Sequence, residues 1–206
     1  MLKLLLPITL LVTTGCQTIL RPRAIDAPAL AAAKVASDYQ VYDLERVGVL
    51  PVVCKDATLE EREQLQEIVY NEFSQVVDYE LVLLTVDDLA EVTASDPYLR
   101  GGYQGETVLG ISERFNLDGL LVTIVSNRKA FPPQKLNVQA DLVATETGMA
   151  IWHAAVSLQA DRPDVRLGVE AYYGNGAPMS DDSWTGALLS PSRFARFGVW
   201  QLARTM

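Results

Sequence analysis

From residue 46 onward, short apolar runs alternate with longer segments whose apolar residues recur every three or four positions. "VGVLPVV" is apolar at nearly every position from Val47 to Val53, the pattern of a central strand covered on both faces. In "TLEEREQLQEIVYNEFSQVV", Leu65, Ile68, Val69, Phe73 and Val76 share one helical face, as an amphipathic helix requires. Thr58 and Glu61 have the spacing of a capping box at its start. "YELVLLT" predicts a second strand and "TVDDLAEV" a short capped helix. "ETVLGISERFN" predicts a helix with a Val108, Ile111 and Phe115 stripe, and "LDGLLVTIVS" a third buried strand. Strand, helix, strand, helix, strand in succession predicts right-handed crossovers and a parallel core.

The period then changes to two. Leu136, Val138, Ala140, Leu142 and Ala144 alternate with more polar positions, and so do Ala150, Trp152, Ala154, Val156 and Leu158. This is the mark of antiparallel strands with one solvated face. Pairing Ala144 with Ala150 puts both apolar sets on one face and leaves Glu146-Thr147-Gly148 as the loop, with Gly148 where a left-handed residue is needed. That register places Trp152 in the core and His153 on the polar side. Residues 149–159 are expected to present a free edge at which a partner strand pairs. A short helix is expected near "DVRLGVEAYY", followed by the glycine-rich, acidic loop "GNGAPMSDDSWTG". In the last helix Ser190 is the N-cap and Pro191 the first helical residue. Phe194, Phe197, Trp200 and Leu202 give this helix its bulk, and Arg193, Arg196 and Arg204 lie near one side. The expectation is an α/β domain: a mixed sheet of about five strands, with a parallel core plus a C-terminal antiparallel hairpin and helices packed on it.

The amino terminus has a different character. Lys3 is the only charge before Arg21, and the apolar stretch from Leu4 to Val12 is too short for the roughly 20 residues of a spanning helix. A basic residue, a short apolar core and the small residues Thr13-Thr14-Gly15 describe a secretory signal peptide over residues 1–15. With Cys16 next, the order resembles the lipobox of bacterial lipoproteins, although Thr13 stands where leucine is usual. The resemblance implies cleavage before Cys16 and acylation of Cys16, including palmitate. Gln17, which is not aspartate, implies sorting to the outer membrane, with the domain facing the periplasm. Residues 16–40 then read as a lipid-anchored tether with a short alanine-rich helix near 28–36, and residues 41–206 as one domain.

Processing removes only Lys3 from the charged set, so the net charge of −9 becomes −10. A chain this acidic is a poor ligand for nucleic acid and is repelled by anionic headgroups. Membrane attachment therefore rests on the acyl chains, each buried methylene contributing about 0.8 kcal/mol. About 190 residues remain, enough for one domain with a real core.

Three segments between residues 46 and 159 resemble a family of envelope lipoprotein domains. The family includes the curli-secretion lipoprotein CsgG, the penicillin-binding-protein activator LpoB and relatives of the TolB amino-terminal domain. "VGVLPV" is similar to its first strand, "ISERFNLDGLLVTIVS" to its helix and following strand, and "DLVATETGMAIWHAAV" to its hairpin, with the threonine-glycine turn before an apolar-tryptophan pair. Gly119 follows Asp118 where alanine or valine is commoner. The resemblance implies a mixed sheet of about five strands with helices on it.

Candidate chemistry is sparse. His153 is the single histidine, so a histidine-based metal site or a Ser-His-Asp arrangement has one possible member, and no nucleophile-elbow motif exists. Its position on the polar side favours a solvated histidine. With Cys16 lipidated, Cys54 is the sole free thiol, and with no histidine or basic cluster beside it to lower its pKa it reads as a small buried hydrophobe. "GGYQGE" and "YYGNGAP" match no nucleotide-binding fingerprint, and no cofactor is implied. Glu60-Glu61 and Asp87-Asp88 sit in first turns of helices, where they offset the helix dipole. Asp181-Asp182 lacks the spacing of a calcium loop. "NRKAFPPQK" is too short and polar for a transmembrane hairpin, which argues against a pore. Two functions remain: a non-enzymatic assembly factor, activator or adaptor that binds another envelope protein, with a homo-oligomer also possible; and an envelope hydrolase or small-ligand sensor using the loop at residues 174–186.

Overall fold

The computed structural model describes residues 26–90, 98–99, 102–174 and 184–206. In chain order the elements are β1 (Ala31–Val35), a 3-10 turn at Tyr39–Val41, β2 (Arg46–Val49), β3 (Val53–Cys54), α1 (Leu59–Phe73), β4 (Glu80–Leu83) and α2 (Val86–Ala90). There follow β5 (Tyr98–Leu99), β6 (Gly102–Tyr103), α3 (Gly105–Phe115), β7 (Gly119–Lys129), β8 (Lys135–Ala144), β9 (Ala150–Gln159), α4 (Pro163–Gly174), α5 (Trp184–Ala187) and α6 (Pro191–Ala203). Seven strands form one open mixed sheet in the order β1-β9-β8-β7-β2-β4, with β3 also on β7; β5 and β6 form a separate two-stranded sheet. β2 is parallel to β4 and β7, and β7, β8, β9 and β1 are antiparallel in turn. The parallel core and the antiparallel hairpin are thus both present.

Two apolar clusters hold the sheet. On one face Leu65, Val69 and Phe73 of α1 and Phe194, Phe197 and Leu202 of α6 pack over Leu142, Trp152 and their neighbours. On the other, Val108 and Ile111 of α3 pack with Leu84, Leu120, Val122 and Val143. Helices α4 and α6 approach closely at Gly168, where a Cβ would stand 2.7 Å from Phe197 Cζ. The capping box at Thr58 and Glu61 is formed. Its Glu61 carboxylate also accepts from Arg128 Nη2 of β7 at 2.9 Å, and this bond, with the Thr58 amide, holds the carboxyl below the usual range.

Several details depart from the sequence expectation. Pro51 has no amide hydrogen to give the ladder, so the expected continuous strand is divided into β2 and β3. Helix α1 ends at Phe73, which leaves Val76 beyond it and 42% exposed. In the hairpin the expected register holds from Leu136↔Leu158 to Leu142↔Trp152, then slips at the tip to Val143↔Ala150. The slip is a β-bulge, which sends Ile151 into the core beside Trp152 and leaves Ala150 exposed. Gly148 has φ +67, as the turn requires.

The largest departure concerns residues 28–36, expected as an alanine-rich helix in the tether. Ala31–Val35 is instead a strand paired antiparallel with β9, Ala31 opposite Val156 and Val35 opposite Trp152. Gln201 of α6 fixes the approach to it, donating to the Pro28 carbonyl and accepting from the Leu30 amide, each at 3.0 Å. Arg204 Nη1 donates to the Ala27 carbonyl at 3.1 Å. The edge expected to be free at residues 149–159 is therefore occupied by this chain's own β1.

Candidate functional site

Helix α3 packs over β7, the ends of β2 and β4, and the end of β8 at Val143. Among the described residues, no helix covers the same face over the rest of β8, β9 and β1. Ladder pairing sets Val122, Asp141, His153 and Lys34 in one row across β7, β8, β9 and β1, and Ile124, Gln139, Ala155 and Ala32 in the next. Side chains of one row share a face, so this is a polar surface with short residues between the long ones.

The polar side chains are tied to one another. Asp141 Oδ1 meets His153 Nδ1 across the strands, and Gln139 Nε2 donates to Asp141 Oδ2 at 3.1 Å. Ser157 Oγ donates to Asn137 Oδ1 at 2.8 Å. Asp141 is buried, whereas His153 is half-exposed. A carboxylate at Nδ1 favours the tautomer with its proton there and leaves Nε2 as the outward acceptor. His153 is thus on the polar face, as expected, and held in one orientation by Asp141. An acid–histidine pair is two-thirds of a hydrolytic triad, but no hydroxyl completes it among the described residues. Ser157 lies four residues along the same strand, about 13 Å away, and Thr123 points to the opposite face by strand parity.

The other sequence candidates fall elsewhere. Cys16, Asp181-Asp182 and residues 175–183 of the loop lie outside the described residues. Cys54 is buried in the core, and burial pushes its thiol up, which suits a small hydrophobe and not a nucleophile. Trp152 is 1% exposed, with its ring edge-on to Phe73 at 5.8 Å. Among the described residues no group of three acidic, histidine or cysteine side chains is placed to hold a metal, and no helix is long and apolar enough to cross a membrane.

The sequence reading missed a buried polar cluster between α1, α4 and α6. Glu72 accepts from the Tyr172 hydroxyl at 3.0 Å, and Arg196 Nε stands 3.8 Å from its other oxygen. Burial outweighs both partners and raises the Glu72 carboxyl above its ordinary value; burial also raises the Tyr172 phenol. Next to it, burial pushes Tyr173 up to about 12; its hydroxyl donates to the Arg193 carbonyl at 2.7 Å, under a guanidinium 4.6 Å from the ring. The available signal was position: Glu72 follows Ile68 by four residues and Val69 by three, so it shares their buried stripe.

No protein-family model matches the chain, and no curated protein matches it in sequence. Among solved structures it is similar to the PelC dodecamer from Paraburkholderia phytofirmans, at 10% identity and TM-score 0.46, covering 82% of this chain and 96% of that one. It is also similar to the lipoprotein GNA1162 from Neisseria meningitidis, at 13% identity and TM-score 0.45, covering 70% and 90%. The LpoB C-terminal domain from Escherichia coli follows at 14% identity and TM-score 0.37, covering 56% and 82%. Likenesses this distant carry no argument about what the chain does.

Proposed function

We propose that the protein is a lipoprotein anchored through Cys16 to the periplasmic side of the outer membrane, and that its domain is a non-enzymatic adaptor, activator or assembly factor that binds another envelope protein. The observation that carries this reading is the half-face of the sheet that no described helix covers. Its side chains are already bonded to each other, so they are ordered before a partner arrives and little rotamer freedom remains to be lost on binding. Asp141 and His153 have no nucleophile within reach among the described residues, which favours binding over hydrolysis. The signal peptide and the lipobox resemblance supply the anchor, and the acyl chains hold the domain near partners in the same membrane.

A photo-crosslinking side chain at Ser157 of the full chain, expressed in its own envelope, tests the reading. The expected result is a discrete adduct with one protein, lost when Asp141→Ala and His153→Ala remove the cross-strand pair. Labelling spread over many proteins, or an adduct indifferent to both changes, speaks against it. Cys16→Ala is expected to abolish acyl labelling and leave precursor uncleaved; equal labelling of both chains removes the anchor from the proposal.

A further inference from the structure

Strand β4 lies at the end of the sheet opposite β1. The Glu80 amide donates to the Glu45 carbonyl at 2.8 Å and the Leu84 amide to the Val49 carbonyl at 3.1 Å, so the even-numbered residues face β2. The amides and carbonyls of Leu81 and Leu83 therefore point outward, and among the described residues no strand pairs with them. Proteins usually blunt such an edge with charge, proline or a bulge; in β4 only Glu80, at its start, does so.

Beside this edge runs a groove of about 200 Å³ between α1 and the β4–α2 turn. Its apolar wall is Leu59, Leu83 and Val86, which are 50%, 40% and 48% exposed. Glu63 and Glu67, one turn apart on α1, form its acidic rim. Arg62 also lines it.

We infer that the outer edge of β4 and this groove accept an extended segment of another envelope protein as an added strand, a surface that builds on the protein-binding reading above. One class of ligand answers every feature. An extended peptide supplies backbone groups for Leu81 and Leu83, an apolar side chain for the wall, and a lysine or arginine two residues away for the rim. An acidic peptide meets Glu63 and Glu67 with like charge. A second copy of this chain, pairing β4 to β4, would bring Glu80 and that rim against their own equivalents.

The test is a titration of the full chain in detergent with a labelled, end-blocked peptide Thr-Leu-Thr-Lys-Thr-Leu and its glutamate counterpart. Saturable binding of the lysine peptide is expected, about tenfold tighter than the glutamate peptide. The exposed pair Glu63→Lys and Glu67→Lys, with unchanged melting, is expected to reverse that order, and backbone N-methylation to abolish binding. No saturable binding up to about 1 mM, an unchanged preference after charge reversal, or full binding of the N-methylated peptide overturns the inference. So does a dimer of the chain that Leu83→Lys dissolves. Photo-crosslinkers at Leu83 and at Ser157, compared in the envelope, separate the two proposals. An adduct at Ser157 alone removes the groove and leaves protein binding standing, whereas adducts at neither site remove both.

Discussion

At Glu72 burial works against a hydrogen bond and a nearby guanidinium, and burial prevails. A carboxyl whose folded pKa lies above its unfolded value binds its proton more tightly in the native state. Its contribution is therefore most favourable below the unfolded value and is lost as pH rises through the folded one. Glu72→Gln keeps an oxygen for the Tyr172 hydroxyl and removes the buried charge. The variant is expected to melt at or above the parent at neutral pH, with the advantage shrinking as pH falls through the raised folded value toward the ordinary carboxylate range and constant below it. Paired melting curves across pH check this, and an advantage that grows toward acid shows that the Arg196 contact outweighs burial. Trp152 is the opposite case: the packing of its ring edge-on to Phe73 outweighs the cost of a buried Nε1 that has no acceptor among the described residues. Trp152→Ala is expected to cost about 3–5 kcal/mol in denaturant unfolding, and a midpoint equal to the parent's contradicts the placement of its ring.

At the scale of elements, β1 depends most on its surroundings. A chain beginning at Asp26 is expected to unfold like the mature chain. One beginning at Ser37 loses the β1–β9 ladder and the three bonds to Gln201 and Arg204, and is expected to lose at least about 3 kcal/mol, since those three bonds alone contribute about 1 each; equal midpoints would make β1 dispensable. This element was also the least legible in the sequence. "AAAKV" has no period of two, and alanine has the highest intrinsic helix propensity; only the exposed side of β9 makes it a strand. By contrast, α1 and α6 carry their boundaries in Thr58, Glu61, Ser190 and Pro191, and the strand–helix order needs no partner to be read. In the hairpin the alternation gave the register and the side for His153, but not Asp141 as its partner, because pairing across strands is not a neighbour relation in sequence. The bulge at Ile151 was hidden because the phase it inverts is carried in β9 by Ala150 alone, a residue too small to show which face it takes. The β4 groove depends on which strand ends the sheet, and that order is set by the whole topology.

Over the whole molecule, strand pairing shortens the distance between the domain and its proposed anchor. Only residues 17–25 separate Cys16 from Asp26, and ten residue steps reach at most about 35 Å when extended. A partner in the same membrane would meet the domain within that layer. Inserting about 20 glycine and serine residues after Gln17 dilutes the domain over a larger volume and is expected to lower the Ser157 adduct yield severalfold; an undiminished yield shows that proximity contributes nothing. The N-terminal strand also governs the order of folding. β1 meets β9 across about 120 residues of intervening chain, and closing a loop of that length costs about 4 kcal/mol of chain entropy. Long-range pairing is intrinsically slow, so the edge strand is expected to dock after the hairpin has formed. In a lipoprotein exported amino terminus first, the segment that emerges first would be the one that folds last. Until Gln201 and Arg204 follow, residues 26–36 remain a strand without its sheet, and any companion that shields them must act during that interval.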